Sequence, residues 1–176
     1  MIIYKQVSSQ KELQQILELQ RKNLKNVLSV SEREVDGFLT VEHTMDILQE
    51  MNDECAHIIA MEGGRLVGYA LCMHPKFADS IAVLRPMYEE ISRAIGGKDN
   101  YMVMGQVCVD KNYRGKGVFR NLYATMHNKL PPGFDTIITE VDGKNKRSLF
   151  AHFSVGFETL RIYHSEGREW HLIILE

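Results

Sequence analysis

The sequence predicts a mixed α/β fold, more closely α+β, in which helices flank one central sheet of about seven strands. Short runs with strand-like alternation recur along the chain, and longer runs with helical spacing of apolar residues separate them. Glycine and proline turns mark the boundaries. The order is strand, helix, helix, strand, strand, helix, strand, helix, strand, helix, strand, strand, which favours a single mixed sheet. A chain of 176 residues predicts one domain over residues 1–176.

The first half of the chain alternates between the two periodicities. Its predicted elements are a strand at 2–7, a helix after Ser9, a helical region at 31–52, and a hairpin of strands at 57–62 and 65–73. Ser31 and Glu34 have the spacing of a capping box, which predicts the start of the second helical region. Gly37 is expected to bend or interrupt that region.

The second half repeats the alternation. Its predicted elements are a helix at 78–95, a strand at Tyr101–Val109, a helix ending near Leu130, a strand at Phe134–Val141, a helix at Asn145–Ser154, and strands at Glu158–Tyr163 and Trp170–Leu175. Pro86 is expected to kink the first of these helices. Residues 131–133, Pro-Pro-Gly, predict a firm stop after the next helix.

Composition excludes several classes of function. The formal net charge is −2, so the general basic bias of a nucleic-acid-binding protein is missing. No apolar run approaches the roughly 20 residues needed to span a bilayer. Cys55, Cys72 and Cys108 are far apart and form no C-x-x-C pair, which predicts reduced thiols, a cytoplasmic protein and no metal site.

A glycine-bearing turn follows the strand at Tyr101–Val109 and precedes a helix. The ten residues from Lys111 to Arg120 carry four positive charges and no negative charge. Backbone N–H groups and the dipole at a helix N-terminus favour an anion, and glycines allow the anion to approach the backbone. The turn therefore predicts a phosphate-binding site, and the alternative is a glycine turn with a purely structural role.

Two motifs in this element order are similar to those of a known family. The turn resembles the acyl-CoA-binding motif of the GNAT acyltransferase superfamily, Gln/Arg-x-x-Gly-x-Gly/Ala, with Arg114 in the first place and Gly117 in the fourth. Asn145, followed by Ser148 and then by Gly156-Phe157, resembles the later family motif, Asn-x-x-Ala/Ser with a closing Gly-Phe. The resemblance covers essentially the whole chain and implies a GNAT-like fold whose fourth and fifth strands splay apart.

The resemblance also implies the co-substrate, acetyl-CoA, and the residues that bind it. The fourth strand would pair with the pantetheine arm as with an added strand, the turn would hold the pyrophosphate, and the start of the last helix would contact the arm. The implied cofactor-binding residues are Val107, Cys108, Val109, Arg114, Gly115, Lys116, Gly117, Val118, Phe119, Asn145 and Ser148. Phe119 departs from the motif, whose sixth position is Gly or Ala, so it either reshapes the turn or points into the core.

Two residues are candidates for catalysis. His152 occupies the place where many family members carry a tyrosine that protonates the leaving thiolate, and it is either that acid or a core histidine. Many members place a glutamate on the fourth strand, where this chain has Gln106, which cannot act as a base. Glu140 on the fifth strand is then the nearest carboxylate, either as the base or as a solvent-facing strand residue.

The resemblance implies an acetyltransferase that transfers an acetyl group from acetyl-CoA to a primary amine of a small or amino-acid-like molecule. Transfer would occur by direct attack in a ternary complex, because no histidine or aspartate spacing supports a covalent route through Cys108. Two alternatives stay open: a non-catalytic acyl-CoA-binding or sensing domain, and a protein N-acetyltransferase. A homodimer is possible, since members of the superfamily often dimerise.

Overall fold

Seven strands form one mixed sheet in the order β1-β2-β3-β4-β5-β7-β6. The computed structural model of this chain describes residues 1–78, 84–98 and 100–176, without the side chains of residues 34–36. The strands are β1 (Ile3–Gln6), β2 (Ile58–Glu62), β3 (Arg65–Met73), β4 (Tyr101–Val109), β5 (Thr136–Asp142), β6 (Glu158–Ser165) and β7 (Arg168–Leu175). Only β4 and β5 pair in parallel, and the other neighbours are antiparallel. This arrangement confirms the predicted mixed α/β fold.

The helices of the described residues flank this sheet. They are α1 (Gln10–Lys22), α2 (Val30–Asp36), α3 (Met45–Glu54), α4 (Arg85–Ile95), α5 (Val118–Asn128) and α6 (Lys146–Phe153). Helices α1, α3 and α4 contribute apolar residues to the core on one face of the sheet, and α5 and α6 contribute to the core on the other. None of the helices in the described ranges is long and apolar enough to cross a membrane.

The helical region predicted at 31–52 differs in the structure. The region predicted as one helix at 31–52 contains two helices, and the capping box is formed by Ser29 and Glu32, not by Ser31 and Glu34. Gly37 ends α2 with φ 75°, a conformation that an L side chain rarely adopts. The residues between α2 and α3 form a connecting segment outside the helices and the sheet, which we call the 37–44 segment.

The predicted helix at 78–95 is also shorter. Residues 79–83 lie outside the described residues, and α4 begins at Arg85. Pro86 stands in its first turn, where the missing N–H costs nothing, so the expectation that this proline kinks the helix was wrong. Gly96, in the left-handed conformation, ends the helix.

The gap between β4 and β5 is the feature of the sheet that matters most for function. The two strands pair only over their first residues, up to Val103 and Ile138. The Thr139 hydroxyl then donates to the Met104 carbonyl oxygen across 2.8 Å, after which the strands separate. On its other side β4 has a register shift against β3, which leaves Gly105 as an extra, exposed residue. The implied splay between the fourth and fifth strands is therefore present.

Candidate active site

The glycine turn places the N-terminus of α5 at the end of β4. Gly115 and Gly117 have φ of 73° and 77°, and Gly117 is the N-cap of α5. The first backbone bond of this helix runs from Asn121 N to Gly117 O over 3.1 Å. The N–H groups of residues 118–120 therefore precede the helical ladder, so they are available to an anion.

The cations of the turn are engaged with the protein around it. Arg114 Nε donates to Val109 O at 3.1 Å, and Arg114 Nη2 donates to Asn23 Oδ1 at 2.9 Å. Lys116 Nζ lies 5.2 Å from the ring centroid of Tyr113. These contacts fix the shape of the turn and keep positive charge beside it. Direct binding of an anion then falls mainly to the backbone N–H groups, as the helix N-terminus favours.

A cleft of about 300 Å³ runs from this turn along β4 to the start of α6. Of the predicted cofactor-binding residues, those that line it are Val107, Cys108, Val109, Arg114, Gly115, Gly117, Val118, Phe119, Asn145 and Ser148. Lys116 lies outside this lining. Arg120, Arg147 and Asn23 line the cleft as well and were not predicted. One continuous cleft therefore brings together both sequence motifs.

Phe119 turns toward the core while its edge borders the cleft. Its ring centroid lies 5.1 Å from that of Tyr123 and 5.0 Å from that of His152, both in edge-to-face geometry. Of the two expectations for this departure from the motif, the structure fits the one in which Phe119 points into the core. The turn keeps its left-handed glycines despite the bulky side chain.

Asn145 joins α6 to the 37–44 segment. Its Oδ1 accepts from Ser148 N at 3.2 Å and caps α6, while its Nδ2 donates to Phe38 O at 3.2 Å. A Cβ added to Gly37 would come within 2.9 Å of Asn145 Oδ1, so the segment passes close above this side chain. Contact of Asn145 with a cofactor stays a prediction, since both ends of its amide already have partners in the protein.

Gln106 anchors the 37–44 segment across the gap. Its Oε1 accepts from the Tyr69 hydroxyl at 2.6 Å and from Gln20 Nε2 at 2.8 Å, and its Nε2 donates to Val41 O at 2.8 Å. Gln20 Oε1 in turn accepts from the backbone N–H of His43 at 2.8 Å. The residue in the place of the family's glutamate is thus the centre of a buried polar network.

Glu140 lines a second, smaller cavity of about 100 Å³ between β4 and β5. Burial raises the pKa of this carboxyl to about 7, and a hydrogen bond from Tyr163 opposes the rise. The Tyr163 hydroxyl donates to Glu140 Oε2. Trp170 and Gly105 also line this cavity. A carboxyl with such a pKa can exchange a proton near neutral pH.

His152 is buried, and both of its ring nitrogens have partners. Nδ1 lies 2.7 Å from the Ser148 carbonyl oxygen, which can only accept, so this nitrogen carries the proton. Nε2 then accepts from the Tyr123 hydroxyl at 2.6 Å. Burial lowers the pKa of His152 to about 4, so the imidazole is neutral at pH 7. His152 also borders the smaller cavity.

Like Asn23, Arg120 and Arg147, some further residues were not among the individual site residues predicted from the sequence. They are Tyr163, Trp170, Gly105 and those of the 37–44 segment. Gly105 had a usable signal, because a glycine inside a strand pattern often marks a bulge. For metal ligands, the described parts of the chain contain no group of three His, Cys, Asp or Glu residues placed to hold an ion.

Comparison with known proteins agrees with this geometry. Solved structures with the same fold include Ard1 from Thermoplasma volcanium (13% identity, TM-score 0.67, covering 99% of this chain and 96% of that chain). The ribosomal-protein-S18-alanine N-acetyltransferase from Escherichia coli is similar too (12% identity, TM-score 0.65, 99% and 93% covered). A third is yncA from Salmonella typhimurium with its cofactor acetyl-CoA (14% identity, TM-score 0.64, 99% and 93% covered).

No curated protein matches the sequence. The family model described as the acetyltransferase (GNAT) family matches residues 15–157, which include the glycine turn, Glu140 and the motif that begins at Asn145. Because the family model matches most of its length, the chain belongs to the GNAT acetyltransferase family.

Proposed function

We propose that the protein is an N-acetyltransferase that transfers an acetyl group from acetyl-CoA to a primary amine of a small or amino-acid-like acceptor. The observation that carries the proposal is that the larger cleft and the smaller cavity meet between β4, the start of α6 and the 37–44 segment. Phe38, Leu39, Val107, Asn145 and Ser148 line both of them. A co-substrate in the cleft would therefore end beside the cavity that contains Glu140.

The cleft suits coenzyme A chemically. The N-terminus of α5 and the left-handed turn offer backbone N–H groups to a pyrophosphate, and Arg114 and Lys116 supply positive charge nearby. The edge of β4 from Val107 to Val109, unpaired with β5, suits an extended amide-bearing arm. Acetyl-CoA, when bound, supplies an acetyl group activated as a thioester.

Glu140 suits the role of the base that direct attack requires. A primary amine has a pKa near 10 and is mostly charged at neutral pH, so it must lose a proton before it attacks. The pKa of Glu140, raised to about 7 by burial, leaves a substantial fraction of the carboxyl ionised and basic at that pH. Holding the amine beside the acetyl group supplies a further part of the rate.

For His152, the contacts favour a structural role over that of a proton donor. Its one proton is directed to Ser148 O, and its other nitrogen accepts from Tyr123. Donation to a thiolate would require breaking the first of these bonds inside the core.

Two further expectations, that the enzyme is cytoplasmic and that it forms a homodimer, stay predictions.

Binding of acetyl-CoA or CoA, measured by calorimetry up to millimolar ligand, tests the first half of the proposal. Gly117→Glu should abolish binding, because it places a side chain and a negative charge at the start of α5. Gly64→Glu is the matched control: Gly64 has φ 78° against 77° for Gly117, and open space around its added Cβ, but lies in the β2–β3 turn. Wild-type protein that binds neither ligand would refute the proposal.

Release of CoA thiol across a panel of amines tests the second half. Turnover on small amines supports the proposal, whereas cofactor binding without turnover on any amine identifies a sensing domain. The panel includes peptides with free N-termini, because the ribosomal-protein-S18-alanine N-acetyltransferase shares this fold. Turnover confined to these peptides identifies a protein N-acetyltransferase.

A further inference from the structure

Glu140 and Tyr163 meet because of an irregularity in β6. Glu140 on β5 stands opposite Leu172 on β7, and Tyr163 on β6 stands opposite Trp170 on β7. Leu172 and Trp170 are two residues apart on one strand, so these four side chains share one face of the sheet. Tyr163 thus reaches Glu140 from two strands away.

The register shift between Thr159 and Arg161 is what puts Tyr163 on this face. Before the shift Thr159 pairs with Ile173, and after it Arg161 pairs with Leu172, so Leu160 is an extra residue. With regular pairing Tyr163 would stand opposite Glu169 and point to the other face, since a slip of one residue reverses every side chain. The bulge therefore brings the Tyr163 hydroxyl to Glu140, which lines the smaller cavity.

We propose that Tyr163 is a positioning residue of the acetyl-transfer site, whose hydroxyl holds Oε2 of Glu140 and directs Oε1 to the acceptor amine. This inference rests on the proposed function. The hydroxyl donates to Oε2, and among the described residues Oε1 has no hydrogen-bond partner. One carboxylate oxygen is thus fixed by the protein, and the other remains to accept a proton.

The charges around the pair keep Tyr163 a donor. Glu90 on α4 lies near it, with its charge balanced by Arg93 and by Arg161, whose Nε is 2.6 Å from Glu90 Oε2. Burial and the carboxylates of Glu140 and Glu90 raise the pKa of Tyr163 well above its usual range. The phenol therefore keeps its proton throughout the working pH range of an enzyme.

The other ionisable groups at the cavity do not replace Tyr163. Asp142, on the same strand as Glu140, accepts from Lys144 N at 2.8 Å. His152, on α6, is neutral and held by its own partners. A hydroxyl that donates to a carboxylate favours the charged form, so loss of the Tyr163 hydroxyl should raise the pKa of Glu140.

A titration of Glu140 in the ligand-free protein tests this inference without any substrate. Side-chain carboxyl carbons are followed by ¹³C NMR against pH, and Glu140→Gln assigns the signal. Tyr163→Phe should move the midpoint upward by about one pH unit, the size expected for a lost hydrogen bond to a charged group. Tyr88→Phe is the matched control, because the Tyr88 hydroxyl is buried and has no hydrogen-bond partner in the described part of the chain, and it should leave the midpoint in place.

An unchanged midpoint in Tyr163→Phe would overturn the inference, as would a wild-type midpoint near that of a free glutamate. Once an acceptor is found, the pH at which kcat/KM reaches half its maximum on the acidic side should rise by about one unit in Tyr163→Phe, and the KM for acetyl-CoA should stay unchanged. A half-maximum that stays at the same pH refutes the positioning role. Absence of turnover on any amine refutes the proposed function alone, since the NMR titration is read on the ligand-free protein.

Discussion

Replacing Gln106 by leucine should cost the protein about 3 kcal/mol of folding free energy. The substitution keeps a similar volume and leaves two groups without their partner: the hydroxyl of Tyr69, which is fully buried, and the carbonyl oxygen of Val41. A buried polar group left unpaired costs about 1–3 kcal/mol, with the upper part of that range for the Tyr69 hydroxyl. Gln20 Nε2 loses less, because it lies 2.9 Å from His43 Nδ1 as well.

A double-mutant cycle with Tyr69→Phe measures how much of this cost belongs to one hydrogen bond. In the double variant the Tyr69 hydroxyl is no longer present to be left unpaired. Equilibrium unfolding in urea should therefore give a coupling free energy of about 1–2 kcal/mol between the two sites. The pair Gln106→Leu and Tyr88→Phe is the control: the Tyr88 hydroxyl has no hydrogen-bond partner within residues 1–78, 84–98 and 100–176, so its effect should add to that of Gln106→Leu.

The same variant should loosen the 37–44 segment. Amide hydrogen exchange in residues 37–44 should be faster, because the bond from Gln106 Nε2 to Val41 O is one of the bonds that hold the segment over the gap. Two results together would refute the proposed role of the network. One is a loss of less than about 1 kcal/mol of unfolding free energy in Gln106→Leu, and the other is a coupling free energy near zero between Gln106→Leu and Tyr69→Phe.

Two predictions concern pH. The kcat/KM for the acceptor should rise with pH through about 7 as Glu140 loses its proton, and Glu140→Gln should remove this limb from a rate profile measured at saturating acetyl-CoA. The contribution of the buried histidines to the free energy of unfolding should be fully present above about pH 7.5 and fall toward pH 4, because burial lowers the pKa of His43, His57 and His152 from 6.5 to about 4. The unfolded chain then binds protons that the folded chain does not, which costs about 2 kcal/mol per histidine at pH 5. Glu140, whose pKa burial raises to about 7, contributes in the opposite direction and offsets part of this loss. Urea unfolding at pH 5 and 7 checks this, and His152→Leu should reduce the difference; an equal difference in both proteins would contradict the assignment.

Features that depend on residues close together in the sequence could be predicted from it. The bounds of β4 were predicted correctly, and so was the glycine turn between this strand and a helix, since glycines between a strand and a helix are a local signal. The phosphate-binding site predicted from that turn stays a prediction. Capping was harder, because Ser29-Glu32 and Ser31-Glu34 have the same spacing and the sequence alone cannot rank them.

The polar network around Gln106 could not be predicted, because its members are far apart in sequence. Gln106 bonds to Gln20 and to Val41, which lie 86 and 65 residues away. No periodicity of any single element encodes those contacts. They depend on the gap between β4 and β5, which leaves room for the 37–44 segment to cross the sheet.

The hydrogen-bond partners of the candidate acids and bases distinguish their roles better than their positions in the motifs do. Gln106 and His152 stand at the positions where the resemblance to the family implies catalytic groups, yet in both the polar atoms of the side chain already have hydrogen-bond partners in the protein. Glu140 has one oxygen fixed by Tyr163 and, among the described residues, no partner on the other. A proton-transfer group needs both a defined orientation and an open atom. The extra residue in β6 supplies the first for Glu140, and the gap between β4 and β5 supplies the second, so the proposed chemistry follows from two irregularities of an otherwise regular sheet.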